Sequence, residues 1–176
     1  MVSQLTSLRL ALLEFDGRAL TILGEAAARF KNQKNFFRNL VVLSSDTDKN
    51  VSSGAIWILK SRFEAGERLS TRNTRLLFSN IGKIHNWMAQ LLICQSAVYL
   101  KPDPQSAEQF VVWLVERIDH DRPFIRAWSL DALCRVAAQY PEHAIIAKHA
   151  LENAANDPAG SVKARVRNIN SDPPWQ

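Results

Sequence analysis

Apolar residues along this chain recur every three or four positions, which is the period of an α-helix. Leu5, Leu8 and Leu12 form one such series that ends at Asp16-Gly17, and further series cover residues 20–30 and 36–43. The sequence shows no alternation of apolar and polar residues between turn signals, the pattern of a half-buried strand. The periodicity therefore predicts an all-α protein.

Several helix ends carry the residue types that favour them. Ser70 can cap a helix that ends at Gly82, and Asp103-Pro104 combines a capping residue with proline at the first helical position. Pro141 and Pro158 mark later connections. These signals predict helices over 69–81, 104–118 and 142–155, which lie between the segments described next.

Four segments share one layout, in which a turn precedes an apolar residue that opens a helix. Further apolar residues follow four, seven and eight positions later. The equivalent opening residues are Val51, Ile84, Ile125 and Val162. Their spacings of 33, 41 and 37 residues fall within the roughly 33–47 residues of helical-hairpin repeats. We therefore predict that all four are buried near the starts of helices that stack side by side.

The turn is acidic in three of these segments, and in two of them a basic residue follows the apolar one. The residues that match this order are Asp121, Ile125 and Arg126 in one segment, and Asp157, Val162 and Lys163 in another. This order resembles HEAT repeats over residues 33–170, although the Ile84 segment lacks the acid and carries His85. The resemblance implies a HEAT-like α-α superhelix, a right-handed solenoid of about four hairpins. An ordinary helical bundle is the alternative, since the same period suits both folds.

The resemblance also implies a domain organisation. It predicts a single α-solenoid domain over 1–176, with capping helices at 1–32, repeats at 33–170 and a frayed tail at 171–176. The apolar face that ends at Ile169 lacks a capping repeat. The tail, a partner or a second copy of the chain is therefore expected to cover it, which makes an oligomer one alternative.

In HEAT-like proteins the second helices form a concave wall, so the resemblance implies that residues beside the core stripe line a groove. The candidate binding residues there are Trp57, Trp87, Trp128, Arg126, Arg135, Lys163 and Arg165. Tryptophan and arginine are enriched at binding hot spots. We therefore expect a non-catalytic scaffold that binds a protein or peptide. The plainer alternatives are packing between repeats for Trp87 and Trp128 and solvated surface positions for the cations, while Trp113 is expected in the core.

The distribution of charged residues indicates a second class of binding partner. The formal net charge is +5, and the first hundred residues hold 13 basic and seven acidic side chains. One basic cluster comprises Arg29, Lys31, Lys34 and Arg38, and another comprises Lys60, Arg62, Arg68, Arg72, Arg75 and Lys83. Clustered cations are the electrostatic footprint of nucleic-acid binding. Nucleic-acid binding through the basic N-terminal half is therefore the alternative, beside a merely solvated basic surface.

Residues 123–143 resemble part of the HEAT-like alkylpurine DNA glycosylases, in which an aspartate follows a tryptophan by one helical turn. The corresponding pair is Trp128 and Asp131. The resemblance implies that Asp131 would stabilise positive charge developing on a sugar. The alternative is an ion pair between Asp131 and Arg135 four residues later. No other catalytic residue is indicated.

Composition and motifs limit the kinds of protein and of site that this sequence can form. A hydrophobic fraction of 47% and a charged fraction of 22% are typical of a globular protein. The four histidines are dispersed, and phosphate-loop, dinucleotide and nucleophile-elbow motifs are absent, so no metal or cofactor is expected.

Cys94 and Cys134 lie in apolar runs and are expected to be reduced. Arg9 and Glu14 interrupt the first apolar stretch, so neither a signal peptide nor a membrane span is expected, and the location is predicted to be cytoplasmic.

Overall fold

The computed structural model describes residues 3–175 and contains α-helices, 3₁₀ turns and connections, with no strand in that range. The α-helices are α1 (Gln4–Leu13), α2 (Leu20–Phe30), α3 (Phe36–Leu43), α4 (Lys49–Glu64), α5 (Thr71–Ser79), α6 (Trp87–Ser96), α7 (Pro104–Val115), α8 (Pro123–Gln139), α9 (Ala144–Ala154) and α10 (Gly160–Ser171). The all-α prediction is confirmed. None of the described helices combines the length and the apolar character needed to cross a membrane.

The predicted caps are present at two helix starts. The Ser70 hydroxyl accepts the N–H of Asn73, and the Asp103 carboxylate accepts the N–H of Ser106 at 2.9 Å, with Pro104 at the first helical position. However, α5 ends at Ser79 rather than at Gly82, and a 3₁₀ turn follows over Ile81–Lys83. The Asn80 side-chain amide donates to the Leu76 carbonyl at 2.9 Å. This bond occupies a carbonyl of the last turn and so helps to end α5.

The first helix also ends earlier than its periodicity predicts, at Leu13. Asp16 and Gly17 instead form the connection to α2, where the Asp16 carboxylate accepts the N–H groups of Arg18 and Ala19, both at 2.8 Å. Gly17 has φ +88°, a left-handed conformation that strongly favours glycine. A side chain competing for backbone N–H groups next to a left-handed residue ends the helix.

The four equivalent opening residues are buried, as predicted. Val51, Ile84 and Ile125 are 0% exposed and Val162 is 1% exposed. Val51, Ile125 and Val162 are each the third residue of their helices, α4, α8 and α10. Ile84 differs because the 3₁₀ turn before it leaves it ahead of α6. The departure coincides with the segment that lacks the acidic turn.

The chain divides into two compact units. The first comprises the residues up to Ile93 together with Tyr99–Lys101, and the second comprises Cys94–Val98 and the residues from Pro102 onward. The single solenoid domain over 1–176 stays a prediction. Met1 and Val2 of the expected capping region, and Gln176 of the expected tail, lie outside the described residues.

In the first unit, α4 packs against α1, α2 and α3, and α3 packs against α5. The helix α4 approaches its neighbours closely at Gly54, where a Cβ atom would lie 2.9 Å from a methyl group of Leu23. Leu12 and Leu23 are 0% exposed in this contact region. Buried side chains of α1 and α2 therefore lie against the middle of α4. At the start of α4, Lys49 is exposed and Asn50 lies beside the connection at Gly17.

In the second unit, α8 packs against α7, α9 and α10. Trp113 is 3% exposed, which confirms its predicted core position, and Ile169 of α10 is also 3% exposed. Both cysteines are buried free thiols, and burial raises the pKa of the Cys94 and Cys134 thiols to about 12. Neither thiol ionises at neutral pH, so neither is an activated nucleophile.

Candidate binding site

Two of the predicted binding residues, Trp57 and Trp87, line the same cavity in the first unit. The cavity has a volume of about 320 Å³. We call it the aromatic cavity; its apolar lining is Phe15, Leu20, Trp57, Trp87, Met88 and Leu92. Asp16, Lys49, Asn50, Ser53 and Asn86 supply the polar lining, with Gly17 beside them. Its size falls at the lower end of the range for small-molecule and side-chain pockets.

Short-range capping contacts position the rim of the aromatic cavity. The Asp48 carboxylate accepts the N–H groups of Asn50 at 2.8 Å and Val51 at 3.0 Å, which fixes the first turn of α4. The Asn86 side chain accepts the N–H of Ala89 at 3.0 Å ahead of Trp87 and Met88. The starts of α4 and α6 therefore both contribute to the rim, together with the connection before α2.

The chemistry of the aromatic cavity is mainly apolar. Trp87 is 38% exposed, Met88 36% and Leu20 48%, while Trp57 is half-buried. The charged residues of the lining, Asp16 and Lys49, have opposite signs. Aromatic rings and a methionine thioether adapt well to an inserted apolar side chain. The cavity is therefore suited to an apolar group rather than to a polyanion.

A second group of predicted residues surrounds Asp131 in the second unit. Asp131 is 4% exposed, and its carboxylate accepts from Arg135 Nε at 2.6 Å and from Arg165 Nη1 at 3.4 Å. The Arg165 guanidinium also lies 3.7 Å from the centroid of the Trp128 ring. The i, i+4 ion pair weighed for Asp131 is present. Two guanidinium groups pair with this carboxylate, and one of them also packs on the Trp128 ring, so the charges of the Asp131 cluster are paired within the protein.

Arg126 is engaged in another ion pair. Its guanidinium donates to both Asp157 oxygens, at 2.8 and 2.9 Å, and to the His120 carbonyl at 2.8 Å. The Asp157 carboxylate also accepts the N–H of Ala159 at 2.7 Å. The hydrogen bond from Arg126 holds the pKa of Asp157 below its ordinary value. Lys163 is exposed, whereas Arg126, Arg135 and Arg165 each pair with an aspartate.

Comparison of the chain with family models, with curated proteins and with solved structures finds no match. The geometry of the chain is therefore the basis of the functional proposal below.

Several residues of these sites carried no signal in the sequence. Leu20, Lys49 and Met88 belong to three separate segments that only the folded structure brings to one cavity. The sequence also did not reveal that Arg9 pairs with Asp46, at 2.7 and 3.0 Å. The acidic turn before Val51 was a usable signal, because the equivalent turn at Asp157 pairs with Arg126 in the same way.

Proposed function

We propose that this chain is a non-catalytic binding module that holds a protein or peptide partner by inserting a partner side chain into the aromatic cavity. The observation that carries the proposal is the convergence of Trp57, Trp87 and Met88 on one cavity of about 320 Å³. Partly exposed aromatic side chains contribute large contact area at low entropic cost, which is why they are frequent binding anchors. Burying them against a partner also removes apolar surface from water.

We further propose that the helices belong to a HEAT-like right-handed superhelix of about four hairpins. Two observations support this fold. The opening residues Val51, Ile125 and Val162 are buried at the same position of their helices. In addition, the Arg9–Asp46 and Arg126–Asp157 pairs share one geometry, in which the aspartate accepts from both Nε and Nη2 and from the N–H two residues later. Recurrence of a detailed contact is expected when a hairpin is repeated.

The partner proposed for the aromatic cavity is an uncharged peptide segment with one large apolar anchor. The two charges at the rim have opposite signs, so the cavity offers no net attraction to a strongly charged chain. A phenylalanine, leucine or methionine side chain would replace water against both tryptophans. A hydrophobic contact of this kind depends little on salt.

Peptide selection tests this function. A displayed random-peptide library is selected against the protein, with the Trp57→Ala/Trp87→Ala variant added in solution as competitor. We expect enriched peptides that share an apolar anchor, with affinities that Trp87→Ala lowers at least about tenfold, the effect of losing roughly 1.4 kcal/mol of binding energy. The matched control is Phe124→Ala, which removes an aromatic ring that is 63% exposed in the second unit.

The control variant is expected to bind the selected peptides as tightly as the natural sequence does. Failure to enrich any peptide, or equal binding by the natural sequence and Trp87→Ala, would contradict the proposed function. Thermal melts of each variant show whether the fold is retained.

A further inference from the structure

A second concave surface lies on the first unit, apart from the residues of the aromatic cavity. Its basic side chains are Lys31, Lys34, Arg38, Arg68 and Arg72, and no acidic residue of the described range 3–175 lines it. We call this surface, of about 330 Å³, the basic concavity. Three of its cations belong to the first basic cluster of the sequence and two to the second. Folding therefore combines parts of two clusters that are about thirty residues apart in sequence into one site.

The first turns of two helices also line the basic concavity. Asn35, Phe36 and Phe37 begin α3, and Ser70, Arg72 and Asn73 begin α5. Asn35 makes no side-chain cap, so the positive end of α3 is not offset by its own capping group. Helix N-termini present backbone N–H groups and a partial positive charge, both of which favour an anion. These two helix ends add to the charge of the five side chains.

The cations of the basic concavity are available for a ligand. All five are exposed, and the side chains of Lys31, Lys34, Arg38 and Arg72 make no hydrogen bond or ion pair with any residue in the range 3–175. Arg68 donates to the carbonyls of Phe63 and Glu67 and lies 5.2 Å from the Tyr99 ring, which orients its guanidinium without neutralising it. By contrast, Arg9 and Arg126 are each neutralised by an aspartate.

We propose that the basic concavity binds the phosphate backbone of a single-stranded nucleic acid. The five cations carry more positive charge than one phosphate group can balance, since a phosphate monoester carries about −1.5 to −2 at neutral pH. A chain with several phosphates in series therefore matches them better than a small phosphorylated ligand. The half-buried Phe37 ring in the lining offers a surface on which an unpaired base can stack. Bases in a duplex already stack on each other, so a single strand is favoured.

The experiment measures fluorescence anisotropy of a labelled mixed-sequence oligonucleotide, as a single strand and as a duplex, at several salt concentrations. Five phosphate contacts predict a slope of about −3.5 for log affinity against log salt, at about 0.7 per contact for single strands. The variant Lys34→Ala/Arg72→Ala removes two contacts. We expect the slope of log affinity against log salt to become shallower, about −2, and the affinity near 0.1 M salt to fall roughly 25-fold.

Two controls distinguish binding at the basic concavity from nonspecific attraction by the charge of the protein and from binding at the aromatic cavity. Lys163→Ala/Arg167→Ala removes two exposed cations from the second unit and is expected to change binding less than about threefold, through the general field alone. Trp87→Ala is expected to leave oligonucleotide binding unchanged, because Trp87 belongs to the aromatic cavity. Melting curves confirm that each variant is folded.

Three results would overturn the inference. The first is no binding of the single strand at low salt, and the second is an equal loss of affinity in both double variants. The third is a competitor result, in which an acidic or phosphorylated peptide displaces the oligonucleotide at much lower concentration than unlabelled single strand does. That outcome would assign the basic concavity to an acidic protein partner.

Discussion

At the scale of single residues, three tryptophans occupy different environments. Trp113 is 3% exposed within α7, and the Arg117 guanidinium lies 3.8 Å from its ring centroid. Trp128 is half-buried beneath Arg165, and Trp87 is 38% exposed at the start of α6. The free energy lost on removing a side chain depends on the contacts it makes rather than on its residue type. The contrast between Trp113 and Trp87 therefore separates a core role from a binding role.

Trp113→Ala is expected to lower the free energy of unfolding by about 3–5 kcal/mol, because it empties a large buried site. Trp87→Ala is expected to cost about 1 kcal/mol or less, since its ring is partly in water. Urea denaturation followed by circular dichroism measures both values. The variant Trp113→Phe is a control that keeps a ring and removes an indole N–H that has no hydrogen-bond partner among the described residues. If Trp87→Ala proved as costly as Trp113→Ala, the aromatic cavity would be part of the core.

At the scale of the helices, the ends are set by side-chain caps and by two left-handed glycines, Gly17 and Gly66. After α4, the N–H of Gly66 donates to the Phe63 carbonyl and the N–H of Glu67 donates to the Arg62 carbonyl, both at 3.0 Å. These two bonds form a Schellman motif, which requires a left-handed residue at the position of Gly66, and its φ is +94°. Gly24 lies inside α2 instead, where it is exposed and has open space at the place a Cβ atom would occupy.

Gly24 and Gly66 are expected to respond to alanine in opposite directions. Gly24→Ala should stabilise the protein by about 0.5–1 kcal/mol, because alanine restricts the unfolded chain and favours helix. Gly66→Ala should destabilise it by about 1–2 kcal/mol, the cost of a left-handed conformation for a residue with a Cβ atom. Thermal and urea unfolding of both variants provide the measurement, with Gly66→Asn expected to cost less than Gly66→Ala. A stabilising Gly66→Ala would show that this helix end does not need the left-handed conformation.

Most helices could be predicted from the sequence because periodicity and caps act within one or two turns. Ser70 and Asp103 illustrate this, since each contacts an N–H three residues later. The end of α1 was missed because the carboxylate of Asp16 competes for backbone N–H groups, which a hydrophobic pattern does not register. The binding surfaces could be predicted only in part. Trp57 and Trp87 were identified as candidates, whereas the convergence of Lys34 with Arg72 depends on the packing of α3 against α5.

At the scale of the whole molecule, each compact unit contains one arginine–aspartate pair between a helix and an acidic turn. Arg9 holds the pKa of Asp46 below its ordinary value through a side-chain hydrogen bond, and Arg126 does the same for Asp157. An aspartate in an unfolded chain has a pKa of about 3.9. Because both native values are lower, folding favours the ionised carboxylates, and their contribution to stability is complete above that pH.

Acid is therefore expected to destabilise both units. The contribution of each pair should be lost as the pH falls from about 4 through the lower native pKa. Asp157→Asn is expected to cost about 1.5–3 kcal/mol at neutral pH, the range for hydrogen bonds to charged groups, and less at a pH of about 3. Urea midpoints at neutral and acidic pH measure the difference, with the exposed Asp172→Asn as control. A penalty that stays constant down to acidic pH would show that ionisation of Asp157 is not what stabilises the turn.

Five side-chain hydrogen bonds among the described residues join positions at similar separations along the chain. The pairs are Arg9–Asp46, Cys94–Ser129, Arg126–Asp157, Asp131–Arg165 and Pro102–Tyr140, with separations from 31 to 38 residues. The entropy of closing a loop grows only with the logarithm of its length, so these closures differ by about 0.2 kcal/mol. Loop-closure entropy therefore gives none of these five contacts a clear lead during folding.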